Sequence, residues 1–336
     1  DRIEWVDGLK VVEFTPYPFG NDLFAQFGDE YAAPILGNFD PPVTPSSGPP
    51  ADTSVLPGTA LGDKFEVSVD ESGQWTVIRN GVDMHVAPEV VDLSIDGLGG
   101  NDTVTVTGST GDEVVRLVPG GGTLTGDGYS LEIAGAESIA VDGGGGTDVA
   151  HLSGDSSVVN TFEGGPGYAK LTGAGETTYT LVANSFRYAH AHGTKGGEDV
   201  AVLHGTPGAF DELDAGPGLT KLWLSNRDSL VRALSFRYVD AHSTPGDGDL
   251  AHLHDDVTDD VFTARPKKAQ LAGDEFSLQA FAFGFVHAHG SEGADVATFY
   301  GSKGRDKLVA KENMVKLRGD GFFNRALAFD ETPAYG

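Results

Sequence analysis

Five segments of this chain share one pattern, a glycine-rich turn, then an aspartate, then an alternating apolar strand: GLGGNDTVTV from Gly97, GGGGTDVAHL from Gly143, KGGEDVAVLH from Lys195, GDGDLAHLH from Gly246 and EGADVATFY from Glu292. Their aspartates, Asp102, Asp148, Asp199, Asp249 and Asp295, are 46, 51, 50 and 46 residues apart. A second element keeps the same phase through Leu124, Leu171, Leu222, Leu271 and Leu317, and a third, read as ESIAVDG, SFRYAHAHG, SFRYVDAHS and FGFVHAHG, leads into the glycine turn. Short units that recur in phase and cannot bury an apolar face alone must stack on their neighbours.

Each repeat reads as several strands of period-2 alternation broken by Gly, Asp and Pro, with nothing long enough for a helix. The 48 glycines and 17 prolines among 336 residues fit strands and turns. These features predict an all-β chain, a right-handed parallel β-solenoid (β-helix) over residues 59–336. A unit of roughly 48 residues is long for one coil and divides into two of about 24. About a dozen coils at about 4.8 Å each predict a rod roughly 55 Å long.

Two segments stand outside the repeat. Residues 1–40 hold Trp5, Phe14, Tyr17, Phe19, Phe24, Phe27, Tyr31 and Phe39, and are expected to be an apolar arm or an N-terminal cap. Residues 41–58, PPVTPSSGPPADTSVLPG, have the composition of an extended linker.

The formal charge is −28, from 22 Lys and Arg against 50 Asp and Glu. Such a surface repels phosphate backbones and anionic lipid and suits divalent cations, so nucleic acid is not an expected partner. No stretch has the length and apolarity of a membrane-spanning helix, and membrane insertion is not expected. Without cysteine, disulfides and thiolate metal sites are excluded. A first residue of Asp1 rather than Met points to a processed, exported chain, and the expected location is extracellular, at the cell surface.

Strings such as DLAHLHDDVTDDVFTARPKKAQLAGDEFSLQAFAFGFVHAHG and LVAKENMVKLRGDGFFNRALAFDE resemble repeat arrays in large secreted proteins of planctomycete-type bacteria, over about residues 97–336. The resemblance implies β-helical extracellular modules and carries over no catalytic residue. Gly143, Gly144, Gly146, Asp148 and Ala150 also resemble the calcium-binding RTX nonapeptide G-G-x-G-x-D-x-U-x, which here recurs once per repeat rather than in tandem.

Candidate metal ligands follow from these landmarks. Asp102, Asp148, Asp199, Asp249 and Asp295 could offer carboxylates to Ca²⁺, the one cofactor the sequence suggests, but turn chemistry is the favoured reading: glycine supplies positive φ, aspartate closes the turn, and calcium screens the charge loosely instead of filling a cage. His190 and His192, His252 and His254, and His287 and His289 lie at alternate strand positions and so share a face, and a pair within one strand is the best local candidate for Zn²⁺ or Cu²⁺. Equal phase predicts a column of His192, His242 and His289 beside one of His190, Asp240 and His287. Strands two coils apart would hold those rings about 10 Å from each other, too far to share one ion.

No GxSxG, HExxH or GxxxxGK motif occurs, and the repeats are ornamented alike without a loop that would form a cleft, so no enzyme is expected. The chain stops in mid-repeat at ALAFDETPAYG. That bare end and the apolar arm suggest head-to-tail assembly with copies of itself, through Trp5, Val11, Val12, Phe14, Phe19 and Phe24. The expectation is a structural subunit of a self-assembling surface fibre; the alternative is an adhesin-like module binding surface glycans or calcium.

Overall fold

The computed structural model describes residues 53–336 apart from Glu176, Thr177 and Lys195, together with two short strands near the start of the chain. The chain divides into two compact units, Asp1–Pro49 and Pro50–Gly336. In the first, Ile3–Trp5 and Val12–Phe14 pair antiparallel with Trp5 opposite Val12. The expected assembly residues Val11, Phe19 and Phe24 lie outside the described residues, as do the side chains of Trp5, Val12 and Phe14.

The second unit is all-β, with no helix among the described residues, and forms a β-solenoid. Its strands lie in two fifteen-stranded sheets. Fifteen strands at about 4.8 Å stack to roughly 70 Å.

The repeat is a module of five strands. After Asp102, Thr103–Thr107 lies in the second sheet. Val114–Val118, Gly120–Gly126 and Tyr129–Ala136 then form an antiparallel meander in the first sheet, and Ser138–Asp142 returns to the second. The next module, after Asp148, exchanges the sheets. Val149–Ser153 lies in the first, its meander of Val159–Gly165, Tyr168–Ala174 and Tyr179–Asn184 in the second, and Tyr188–His192 in the first.

Each module thus crosses between the sheets as three legs, one and a half coils instead of the expected two, and successive modules begin in opposite sheets. The reason is that two of the five strands are hairpin returns within one sheet and do not advance the coil. Coil stacks on coil in parallel, as expected: Val149 lies opposite Val114 and Tyr188, which are 35 and 39 residues away, and Tyr188 opposite Leu230, 42 away.

Alternate side chains point inward, so most strands alternate a buried residue with a more exposed one. The core is built of Val, Leu, Ala and Phe, with Phe65, Phe162, Phe262 and Phe299 fully buried. Meander turns use local chemistry: Pro166-Gly167 and Pro217-Gly218 join paired strands, with φ of 74° and 73° at the glycines. Proline presets the first turn residue and glycine takes the left-handed second.

At the far end of most meanders the chain turns through one left-handed residue, Ser185, Ser235, Ala282 or Ala328 (φ 64°, 60°, 62° and 61°). Its N–H is held by a carbonyl of the preceding hairpin turn, as from Ser235 to Gly218 and from Ala282 to Lys267 (2.8 and 2.9 Å). The residue that follows is a phenylalanine, and Phe186, Phe236 and Phe283 are buried.

The expected linker ends early. Thr53–Thr59 is a strand at the edge of the first sheet, parallel to Asp92–Leu98. Pro57 is tolerated because an edge strand can leave one side of its backbone unbonded. The other edges are Lys307–Lys311 in the first sheet, and Val82–Met84 and the two-residue Ala334–Tyr335 in the second.

Candidate metal centre

All five landmark aspartates are fully buried. Each places Oδ1 on the backbone N–H that opens a neighbouring strand: Asp63 N–H donates to Asp102, Glu113 to Asp148 and Asn160 to Asp199, all at 2.7 Å, Asp211 to Asp249 at 2.8 Å and Asp260 to Asp295 at 2.9 Å. The aspartate therefore ties one coil to the next at the corner where the chain enters a sheet. Because modules exchange sheets, the five do not form one column. Asp102, Asp199 and Asp295 open strands of the second sheet, Asp148 and Asp249 strands of the first.

Turn chemistry satisfies two of them completely. Asp199 Oδ2 accepts the N–H and hydroxyl of Thr194 (2.6 and 2.8 Å), and Asp249 Oδ2 accepts the Ser243 hydroxyl (2.6 Å). In Asp102, Asp148 and Asp295, by contrast, Oδ2 is buried without a partner. Burial raises Asp102 above the usual carboxylate range.

Two of these lie against further carboxyls. Glu113 sits beside Asp148, and three donors converge on Glu113 Oε1: the Ser109 N–H (3.1 Å), the Ser109 hydroxyl and the Tyr129 phenol. Burial, reinforced by the carboxylate alongside, pushes Asp148 up to about 7. The phenol of Tyr129 is itself pushed up to about 12, chiefly by burial, and stays a donor.

The other group is Asp255, Asp260 and Asp295, each with an oxygen within 4.8 Å of the others. Asp260 and Asp295 are fully buried, and Asp260 Oδ1 and Asp295 Oδ2 have no partner. Asp255 Oδ2 accepts the Ser291 N–H (2.8 Å) and Asp260 Oδ2 the Asp256 N–H (3.2 Å). Burial pushes Asp255 and Asp260 up to about 6, and neighbouring carboxylates add to the rise. A cation would relieve the crowding of Asp255 and Asp260 once they ionise, and an all-oxygen set that includes Asp295 suits a hard ion such as Ca²⁺, with backbone or water oxygens completing its shell.

The histidines occupy outward positions, and the expected columns are wrong. His192 and His289 lie in the first sheet while His242 lies in the second, stacked between His204 and Phe281 at centroid separations of 5.4 and 4.5 Å. Asp240 likewise lies in the second sheet, away from His190 and His287.

The columns that form run across adjacent strands. His151 faces His190, His252 faces His287 and His254 faces His289. Their ring centroids are 5.1, 5.2 and 4.7 Å apart, about one strand spacing, because these pairs sit on adjacent strands and not two coils apart. Neighbouring strands differ by less than one module, so histidines of consecutive strands meet. Burial, with Arg232 or Arg325 nearby, pushes His190, His287 and His289 down to about 4.

Of the expected ligands, then, the structure brings Asp295 into a carboxyl cluster, Asp148 into a pair and His289 onto His252. Glu113, Asp255 and Asp260 were missed, although for Glu113 and Asp260 the sequence carried a signal: an acidic residue 35 positions before Asp148 and Asp295. Compared with family models, curated proteins and solved structures, the chain matches none.

Proposed function

We propose that the chain is an extracellular structural module, a subunit of a self-assembling surface fibre that catalyses no reaction. One observation carries this reading: what recurs from module to module is what holds coil to coil. The two inward residues after each landmark aspartate are Val104 and Val106, Ala150 and Leu152, Ala201 and Leu203, Ala251 and Leu253, then Ala297 and Phe299, all fully buried. The outward residue between them changes freely, as Thr105, His151, Val202, His252 and Thr298. Outward repetition is confined to the third element, with His192, His242 and His289, and the exchange of sheets divides these between two faces instead of gathering them on one presented surface.

Charge supports head-to-tail joining of copies. Residues 303–325, which hold the Lys307–Lys311 edge strand, contain seven Lys and Arg against three acidic residues, whereas residues 63–96 at the other end of the stack contain two against eight. Lys307, Lys311 and Pro57 discourage indiscriminate strand addition at the edges, which leaves opposite charge to select the partner end.

The test is negative-stain microscopy and sedimentation of the full chain without ligand, in low and high salt. Filaments that disperse as salt rises support the reading. A monomer at every salt concentration, or release of sugar products from a polysaccharide, overturns it. A second reading, an adhesin-like module that takes calcium or surface glycans, is favoured by the Asp255, Asp260 and Asp295 cluster and would show as a monomer that binds a glycan array.

A further inference from the structure

We propose that His252 and His289 form a two-histidine site for a divalent transition-metal ion, Cu²⁺ or Zn²⁺, on the outer face of the first sheet. Their strands, Leu250–His254 and Phe285–His289, are parallel neighbours, and the diagonal between them brings His252 Nδ1 to 3.1 Å from His289 Nε2. Two nitrogens at that separation, each roughly 2.0–2.1 Å from an ion, subtend about 100° there, between square-planar and tetrahedral angles.

The surroundings suit a cation. The ring of His254 stacks on that of His289 at 4.7 Å, and its Nε2 is 3.0 Å from Asp214 Oδ1 on the adjacent strand. Glu212 lies on the same strand as Asp214. Arg325 opposes them with its positive charge, but its guanidinium donates to His287 Nδ1 (3.0 Å). His287, the expected ligand, is thereby engaged elsewhere.

Without metal, one of the two facing nitrogens carries a proton and donates it to the other. Coordination needs both lone pairs, so that proton moves through solvent to the far nitrogen of its own ring, and no net proton is released. Both rings are held neutral at pH 7 by burial, which lowers His252 as well as His289. Water completes the coordination. The other histidine face, with His151, His190 and His192, stacks its rings at 5.1 and 6.0 Å without such a contact between ring nitrogens.

The experiment is titration of the full chain with CuCl₂ in excess CaCl₂, read by calorimetry and by electron paramagnetic resonance. The calcium occupies carboxylate sites and leaves imidazole nitrogen as the distinguishing signal. The expected result is one tight equivalent with two-nitrogen coupling, weakened at least about tenfold by His252→Gln or His289→Gln and unchanged by His190→Gln. Both rings lie on the outer surface, and circular dichroism checks that each variant folds. A wild-type spectrum with only oxygen ligands, or affinity unchanged in both variants, overturns the site. Either outcome leaves filament formation untouched, so this site and the proposed structural role stand or fall separately.

Discussion

Asp148→Asn is expected to stabilise the protein at pH 8 and to leave it unchanged near pH 4. Asp148 is fully buried, its Oδ1 takes the Glu113 N–H, and its Oδ2 has no partner. A carboxyl moved from its ordinary 3.8 to about 7 loses roughly 4 kcal/mol on ionising in the folded state, a ceiling because relaxation and water soften the cost. Its folded pKa is raised, so between about pH 4 and 7 the native state binds a proton that the unfolded chain has released, and stability falls as pH rises through that window.

Asparagine keeps the acceptor at Oδ1 and puts an N–H₂ where the proton was, facing Glu113. The variant lacks that fall. At roughly 2 °C per kcal/mol for a chain of this size, its melting temperature exceeds that of the wild type by up to about 8 °C at pH 8. Burial lowers His190, His287 and His289, which removes stability as pH drops from 6.5 towards 4, but that trend is common to both proteins and cancels in the difference. The assay is thermal melting by circular dichroism at pH 4 to 8. Parallel profiles, or a variant less stable at pH 8, refute an Asp148 carboxyl that burial keeps protonated.

Ala282→Gly relieves a left-handed residue at φ 62° and is expected to add roughly 0.5–1 kcal/mol, read as a higher denaturant midpoint. Phe262→Ala empties a fully buried position packed on Phe299 at 6.0 Å and is expected to remove roughly 3–5 kcal/mol in the same assay. CaCl₂ at pH 7.5 is expected to raise the melting temperature, because at that pH Asp255 and Asp260, displaced to about 6, are ionised and crowded. A calcium excess of about a hundredfold over Kd contributes about 2.7 kcal/mol. Asp260→Asn is expected to abolish the response, and an unchanged calcium shift in that variant sinks the cluster as its origin.

The sequence by itself determined an all-β chain, its modules and which side chains face inward. The aspartate and leucine landmarks recur in phase, and period-2 alternation assigns Ala201 and Leu203 to the core as surely as it turns His190 and His192 outward. That alternation is the same for parallel and antiparallel strands, so it could not reveal the meander inside each module. Without the meander, the count of legs was hidden, and with it the exchange of sheets that separates His192 from His242 and Asp102 from Asp148. Only the tertiary structure decided which residues meet, because contact across a sheet follows strand register, 35 to 42 residues here, while the sequence displays a repeat of 46 to 51. Glu113 and Asp148, or His252 and His289, become neighbours through that difference.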